Sequence, residues 1–276
     1  MKKVLAAALI CAVSSFAAWD YFPVKEAGKG EAKAGIVYTM LGDNSIFGIN
    51  AGARFSVIEG LEIAAIFNRL GTSGFPISMS FDGESCSDVY KAVFGNDDNC
   101  PPTMMQPILG LRYWLPMGLG LVLDVDLPFQ GDAGEAMMRG TFLAFTPGVQ
   151  YSAKFTEEFA LGSQVSLYIP LEDSDTKFKP GMELGIGLEA RYSLGMVVPF
   201  VGVDVLMQLT KEQIDGNDDY SPDTATGIVP SVGARFEISD MLLADVGVKF
   251  GIGEDYFIRF GEDMPISIGA NFSVNF

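Results

Sequence analysis

Apolar and polar residues alternate with a period of two along most of the chain, which is typical of β-strands that have two different faces. Over residues 264–276, every second residue from Ile266 to Phe276 is apolar, and the residues between them are Ser, Gly or Asn. The same alternation recurs throughout. It predicts twelve strands, at 30–40, 46–57, 61–70, 106–115, 119–129, 139–153, 159–170, 181–193, 197–209, 227–238, 242–252 and 264–276.

The predicted connections alternate in length. Those near Glu59, Met117, Glu157, Gly195 and Asp240 are tight, whereas the intervening ones are looser, and residues 71–105 form by far the longest. In transmembrane barrels the short turns are periplasmic and the long loops extracellular, and the strand number is even. The pattern therefore predicts an all-β, 12-stranded antiparallel up-and-down transmembrane β-barrel with both termini in the periplasm.

A short repeat, small-x-polar-aromatic, stands near the end of each even-numbered predicted strand. Its aromatic residues fall on the apolar face just before a tight turn or the C-terminus, where a periplasmic aromatic girdle is expected. Its polar residues fall on the opposite, lumenal face. The aromatic positions are Phe55, Tyr113, Tyr151, Tyr192, Phe236 and Phe272.

Composition supports a membrane barrel. Hydrophobic residues make up 49% of the chain and mean hydropathy is +0.27, yet no stretch approaches the roughly twenty apolar residues of a spanning helix. Residues 1–17 have the basic start, short apolar run and small residues of a signal peptide, which leaves 18–276 as one barrel domain. Without Lys2 and Lys3 the chain has 16 basic and 35 acidic residues, a net charge of −19, which argues against nucleic acid as a partner.

With these features, the mature chain resembles the bacterial outer-membrane barrel proteins, porin-like members included. The resemblance covers the signal peptide, the hairpin periodicity, the girdle aromatics and a final strand that ends in Phe276. It implies a location in the cell outer membrane and contact with its lipid and lipopolysaccharide. It also implies that the barrel-assembly machinery recognises residues 264–276, with Phe276 as the assembly signal.

Little in the sequence suggests catalysis or a cofactor. The chain has no His, which removes histidine-dependent triads and the commonest metal ligand, so we expect no enzyme activity, no metal and no cofactor. Asp124 and Asp126 share a lumenal face, and we interpret them as pore residues rather than a hydrolytic pair. Cys86 and Cys100 are an even pair in an exported loop, which predicts one disulfide.

Four arginines of the repeat predict a charged ring in the lumen, and an acidic residue of lumenal parity follows each of them across a tight turn. The ring could stiffen the wall through cross-strand ion pairs, or it could filter solutes. The predicted lumen charges are Arg54, Arg112, Arg191, Arg235, Glu62, Asp124, Asp126, Asp204 and Asp245. The acidic loop 71–105 either caps the barrel or folds into its mouth as a constriction.

The first functional hypothesis is a passive diffusion channel for small hydrophilic solutes that favours cations. Glycines on the lumenal face, such as Gly120, Gly162, Gly187 and Gly233, are expected to leave room for a pore. The alternative is a sealed structural or adhesive barrel that acts through its extracellular loops. A soluble lipid-binding barrel with the faces inverted is a third hypothesis, although its exposed face would carry few lysines.

Overall fold

The computed structural model describes residues 20–41, 44–71, 105–127, 143–172, 177–211, 213–214, 225–253 and 264–276. Within them, no helix has the length and apolar character needed to cross a bilayer. The chain is built from β-strands. These are β1 (Gly30–Leu41), β2 (Asn44–Ile58), β3 (Leu61–Gly71), β4 (Met105–Trp114), β5 (Leu119–Asp126), β6 (Ala144–Lys154), β7 (Phe159–Pro170), β8 (Phe178–Lys179), β9 (Glu183–Tyr192), β10 (Val197–Gln208), β11 (Gln213–Ile214), β12 (Thr226–Glu237), β13 (Leu242–Phe250) and β14 (Ile266–Asn275).

Twelve of these strands form one closed antiparallel barrel in which each strand pairs with the next one along the chain. The short strands β8 and β11 pair only with each other. Strands β1 and β14 close the barrel through ten residue pairs, from Glu31 opposite Asn275 to Met40 opposite Ile266. Gly30 and Phe276 extend this seam with backbone hydrogen bonds in both directions. The predicted 12-stranded up-and-down barrel is confirmed.

The wall has an apolar outside and a polar inside, the reverse of a soluble protein. In β5, Leu121 and Leu123 are exposed, whereas Asp124 and Asp126 on the opposite face are buried. Buried polar residues also occur on β2, β3, β4, β6, β7 and β9, and most of the exposed large hydrophobic residues lie on the outer face. This orientation contradicts the third hypothesis, a soluble barrel with an apolar interior.

Five tight connections lie at one end of the barrel, which we call the turn end; the opposite end is the loop end. Three turns contain a glycine in the left-handed region, at Gly60, Gly118 and Gly195, where a side chain would strain the backbone. The other two use hydroxyl groups instead: Thr156 and Ser239 each accept hydrogen bonds from the backbone N–H groups two and three residues later. The turn chemistry thus fixes the hairpin ends.

Five prolines lie within barrel strands, and for all but Pro147 the missing N–H group falls beyond the end of the ladder that it faces. The backbone hydrogen bonds at the strand ends show which neighbouring strand the missing N–H group of each proline would have faced. Pro107, Pro199 and Pro230 each stand directly before the first residue of their own strand that pairs with the strand they face, which is β5, β9 and β13, respectively. Only Pro147 interrupts a ladder internally, between β6 and β7. The rings of these four prolines point outward, whereas Pro170, which follows the last β7–β9 pair, is fully buried on the lumenal face of β7.

Candidate functional site in the barrel lumen

The four arginines of the repeat point into the barrel near its turn end, as predicted. Arg54 and Arg112 are almost fully buried, with exposed fractions of 5% and 2%, whereas Arg191 and Arg235 are about one-fifth exposed. Strand alternation places them there, because each stands next to an aromatic residue of the outer face. The ring is thus asymmetric, with a dry side on β2 and β4 and a wetter side on β9 and β12.

Arg54 and Arg112 share acidic partners across neighbouring strands. Arg54 pairs with Glu31 at 2.7 Å and lies 3.7 Å from Glu62, while Arg112 pairs with Glu62 at 3.1 Å. The register explains this preference, since Glu62 lies directly opposite Arg112 in the β3–β4 ladder. The predicted partner of Arg112 was Asp124, but Asp124 lies opposite Gly110, which is two residues before Arg112 on β4.

The other two arginines behave differently from each other. Arg235 pairs with Asp245, directly opposite on β13, at 2.7 Å, as the sequence predicts. Arg191 pairs at 2.6 Å with Glu189, two residues earlier on its own strand. Its predicted partner Asp204 lies opposite Gly187 instead, four residues away from Arg191 along β9. Pairing across the turn therefore holds for Arg235 with Asp245 and, at 3.7 Å, for Arg54 with Glu62, but it fails for Arg112 and Arg191.

The sequence did not predict that residues 20–25 enter the barrel from the turn end. We call them the lumenal segment. Asp20 lies 3.4 Å from both Arg54 and Arg112, and Arg112 also donates to the carbonyl oxygens of Asp20 and Phe22, at 3.0 and 2.6 Å. Gln150 donates to the Asp20 carbonyl at 2.9 Å. The segment is therefore bound through its backbone as well as its charge.

Asp20 stays ionised in this position. Burial by itself would raise the pKa of its carboxyl group, but the guanidinium groups of Arg54 and Arg112 outweigh burial and hold that pKa far below its ordinary value. The stabilisation that ionised Asp20 provides is present above its unfolded pKa and is lost only as pH falls through the lowered one. Mild acid should therefore leave the segment in place.

The rest of the lumenal segment fits against the wall through glycines and aromatic contacts. Tyr21 donates its hydroxyl hydrogen to Asp204. A Cβ atom at Gly162 would lie 2.7 Å from the Tyr21 carbonyl oxygen, and one at Gly187 would collide with the Tyr21 hydroxyl group. The Arg191 guanidinium lies 3.8 Å from the centroid of the Phe22 ring. Only glycines at these two wall positions leave space for the segment.

This fit corrects the expectation that lumenal glycines leave an open pore. A Cβ at Gly120 would meet the ring of Trp114 at 2.5 Å, and Gly233 faces the ring of Phe200 in the same way. At least four of the glycines therefore accommodate Trp114, Phe200 or the lumenal segment instead of leaving empty space. Sequence alone could not show this, because it does not reveal which neighbouring side chain leans over a glycine.

Toward the loop end the lumen is acidic and partly apolar. Asp124 and Asp126 are buried on the lumenal face of β5, with exposed fractions of 1% and 3%, and Glu183 is buried on β9. Ile108 and Leu206 are also fully buried in this half. Among the described residues there is no group of three or more His, Cys, Asp or Glu side chains placed to hold a metal ion.

The predicted girdle residues lie on the outer face next to the turn end, with their side chains 38–51% exposed; they are Phe55, Tyr113, Tyr151, Tyr192, Phe236 and Phe272. Phe276 is exposed at the same end and closes the seam with Gly30. Cys86, Cys100 and most of the loop 71–105 lie outside the described residues, so the disulfide stays a prediction.

No known protein family and no curated protein matches the sequence. Solved structures do share the fold. The COG4313 outer membrane channel from Pseudomonas putida F1 superposes with a TM-score of 0.62 at 12% identity, covering 94% of this chain and 98% of that one. The NanC porin gives 0.55 at 8% identity, with 89% and 98% coverage. The translocator domain of the autotransporter NalP from Neisseria meningitidis gives 0.51 at 10%, with 99% and 96% coverage. The chain has the fold of outer-membrane β-barrels.

Proposed function

We propose that this chain, an outer-membrane-type β-barrel, is a porin-like channel for the passive diffusion of small hydrophilic solutes and that it favours cations. The observation that carries the proposal is the inverted wall, with exposed apolar side chains outside and buried charged side chains inside. In a bilayer the apolar face contacts lipid, and the closed ladder leaves no strand edge unpaired. A charged interior is what a path for hydrophilic solutes requires.

The placement of charges supports cation preference. The arginines at the turn end have acidic partners within 4 Å, which offset much of their field. Asp124, Asp126 and Glu183 lie nearer the loop end, on the half of the lumen that the arginine ring does not occupy. The chain as a whole is strongly acidic, with a formal net charge of −17. Carboxylates in a narrow passage raise the local cation concentration.

Export and assembly belong to the same proposal. Residues 1–17 act as a signal peptide, and the mature chain contacts outer-membrane lipid and lipopolysaccharide. The barrel-assembly machinery recognises the final strand and Phe276. The test is the intact mass of the protein from outer-membrane fractions, which should correspond to a chain that begins at Ala18. A chain that retains residues 1–17 would refute the export step.

The channel is tested by single-channel conductance and reversal potential in planar bilayers. Asp126→Asn should lower the cation-to-anion permeability ratio at low salt, and the difference should shrink at 1 M salt, where the screening length is about 3 Å. Glu157→Gln, the same change of charge in an exposed turn, is the control and should have little effect. Anion preference in the wild type would refute the electrostatic proposal.

A second candidate is the sealed structural or adhesive barrel that acts through its loops. The observation that favours it is the lumenal segment, which fills part of the turn end, together with the Trp114 and Phe200 rings that lie over lumenal glycines. The absence of any conductance from protein that migrates as a folded barrel would favour this candidate over the channel.

A further inference from the structure

The most unusual contact in the lumen joins a buried carboxylate to two buried arginines that already have acidic partners. Asp20 lies 3.4 Å from Arg54 and from Arg112, outside the strands that build the wall. The two arginines are held by Glu31 and Glu62 on neighbouring strands. Their positions therefore do not depend on Asp20, and the wall presents a preformed pair of guanidinium groups.

The amide groups around the arginine pair add further polar contacts. Gln150 accepts a hydrogen bond from Arg112 at 2.9 Å and donates one to the Asp20 carbonyl oxygen. Gln150 also donates to Gln164 at 2.7 Å, which orients its amide group. Guanidinium and amide donors that converge in a desolvated place are the groups that recognise a carboxylate with a neighbouring carbonyl or hydroxyl oxygen.

Asp20, which occupies this place, is connected to the barrel wall by a short stretch of chain that ends at residues 28 and 29. Residues 28 and 29 are fixed to β2, because Gly28 donates to the Ser56 carbonyl oxygen and Ser56 donates to that of Lys29. Lys25 contacts Asn275 at 2.8 Å and Glu31 at 3.5 Å. A tether of this length gives the attached group an effective concentration in the millimolar range. A free ligand must therefore compete with it.

We propose that Arg54 and Arg112 form a carboxylate-binding site at the turn end of the lumen, that Asp20 is its tethered occupant, and that a small hydrophilic carboxylate can replace it. Replacement would release the lumenal segment and widen the passage. In this respect the inference rests on the proposed channel, but binding itself does not. The wall glycines Gly162 and Gly187 provide the space in which the segment lies when it occupies the site.

The first test is isothermal titration calorimetry of the folded protein in detergent, with gluconate as the probe. Asp20→Asn should bind gluconate with an affinity about tenfold or more above that of the wild type, because the tethered competitor is weakened. Glu26→Gln makes the same change of charge on an exposed residue six positions further along the chain, and it should behave like the wild type. Equal affinity in the wild type and Asp20→Asn, or no binding by Asp20→Asn, would overturn the proposal.

The second test identifies the site. On the Asp20→Asn background, Arg112→Gln should abolish gluconate binding; Arg54→Gln serves if Arg112→Gln does not yield a folded, heat-modifiable barrel. Gly162→Ala should increase the affinity like Asp20→Asn, because its Cβ would lie 2.7 Å from the Tyr21 carbonyl oxygen. Gly269→Ala, whose Cβ meets only the Ile36 carbonyl at 3.7 Å, is its control. Binding that survives loss of either arginine contradicts the assignment.

Conductance separates this inference from the proposed function. If Asp20→Asn and Gly162→Ala both conduct more than the wild type, the lumenal segment limits the passage, as proposed. If gluconate binds as expected but none of the proteins conducts, the channel proposal fails and the carboxylate site stands. If the proteins conduct and neither substitution alters conductance or gluconate affinity, the carboxylate site fails and the channel stands.

Discussion

Arg112→Met is the substitution whose cost the structure defines best. The side chain is 2% exposed and contacts Glu62 at 3.1 Å, Gln150 at 2.9 Å and the Phe22 carbonyl oxygen at 2.6 Å. Methionine has a similar length and no charge, so the change removes the polar contacts with little change in volume. Glu62, which is fully buried, is then left with Arg54 at 3.7 Å.

The expected loss follows from burial. Removing one partner of a buried ion pair leaves an uncompensated charge and destabilises a protein by about 3–5 kcal/mol. The remaining Arg54 should keep the loss near the lower end of that range. Arg235→Met is the matched control, since Arg235 has one short ion pair but is about one-fifth exposed. A partly solvated pair of this kind is worth about 1 kcal/mol or less.

The measurement is urea-induced unfolding of the refolded barrel, with the free energy of unfolding taken from linear extrapolation. Adding Glu62→Gln to Arg112→Met should recover part of the loss, because the buried carboxylate is no longer unpaired. If Arg112→Met costs no more than Arg235→Met, the reasoning is wrong, and water must screen the β2–β4 side of the lumen as fully as the other side.

Three further predictions concern the wall, the seam and the long loop. Val246→Lys, on the outer face of β13, should destabilise the barrel in lipid vesicles by about 2–4 kcal/mol, whereas Met241→Lys in a turn should cost about 0–1 kcal/mol; equal costs would contradict a lipid-facing β13. Deleting Phe276 should reduce the amount of heat-modifiable protein in outer-membrane fractions, since it removes both the terminal aromatic group and the last backbone bonds of the seam; unchanged assembly would contradict its role as a signal. Thiol labelling of unreduced, unfolded mature protein should fail if Cys86 and Cys100 form a disulfide, whose loop closure is worth about 3 kcal/mol at most, and two labelled thiols per chain would refute the bond.

The barrel was predictable because its strands carry a strict period of two and its hairpins end at recognisable residues. The predicted strands 61–70 and 159–170 match β3 and β7 to within one residue at either end. Period and parity depend on neighbouring residues along the chain, so the direction in which each side chain points could be read directly from the sequence. The lumenal positions of Arg54 and Asp126 followed in the same way.

The contacts within the lumen were less predictable, because they depend on register and on a segment without any period. Arg112 lies opposite Glu62 on β3 and opposite Val122 on β5, two residues from Asp124, and the length of a turn does not fix that shift. Asp20 and Tyr21 carry no repeating pattern at all. The one signal that could have suggested their position is the excess of lumenal glycines, which we interpreted as space for solutes rather than for the chain itself.

The seam between β1 and β14 also sets a limit on when this protein can fold. Glu31 and Asn275 lie opposite each other but are 275 − 31 = 244 residues apart in sequence. At about 5–20 residues per second, the ribosome needs on the order of 10–50 s to make the chain between them. Until then one edge of β1 has no partner strand, and the strand made most recently leaves a second edge unpaired. Every incomplete chain is therefore open to pairing with the wrong partner, and its survival depends on how long its edges are shielded rather than on the stability of the finished barrel.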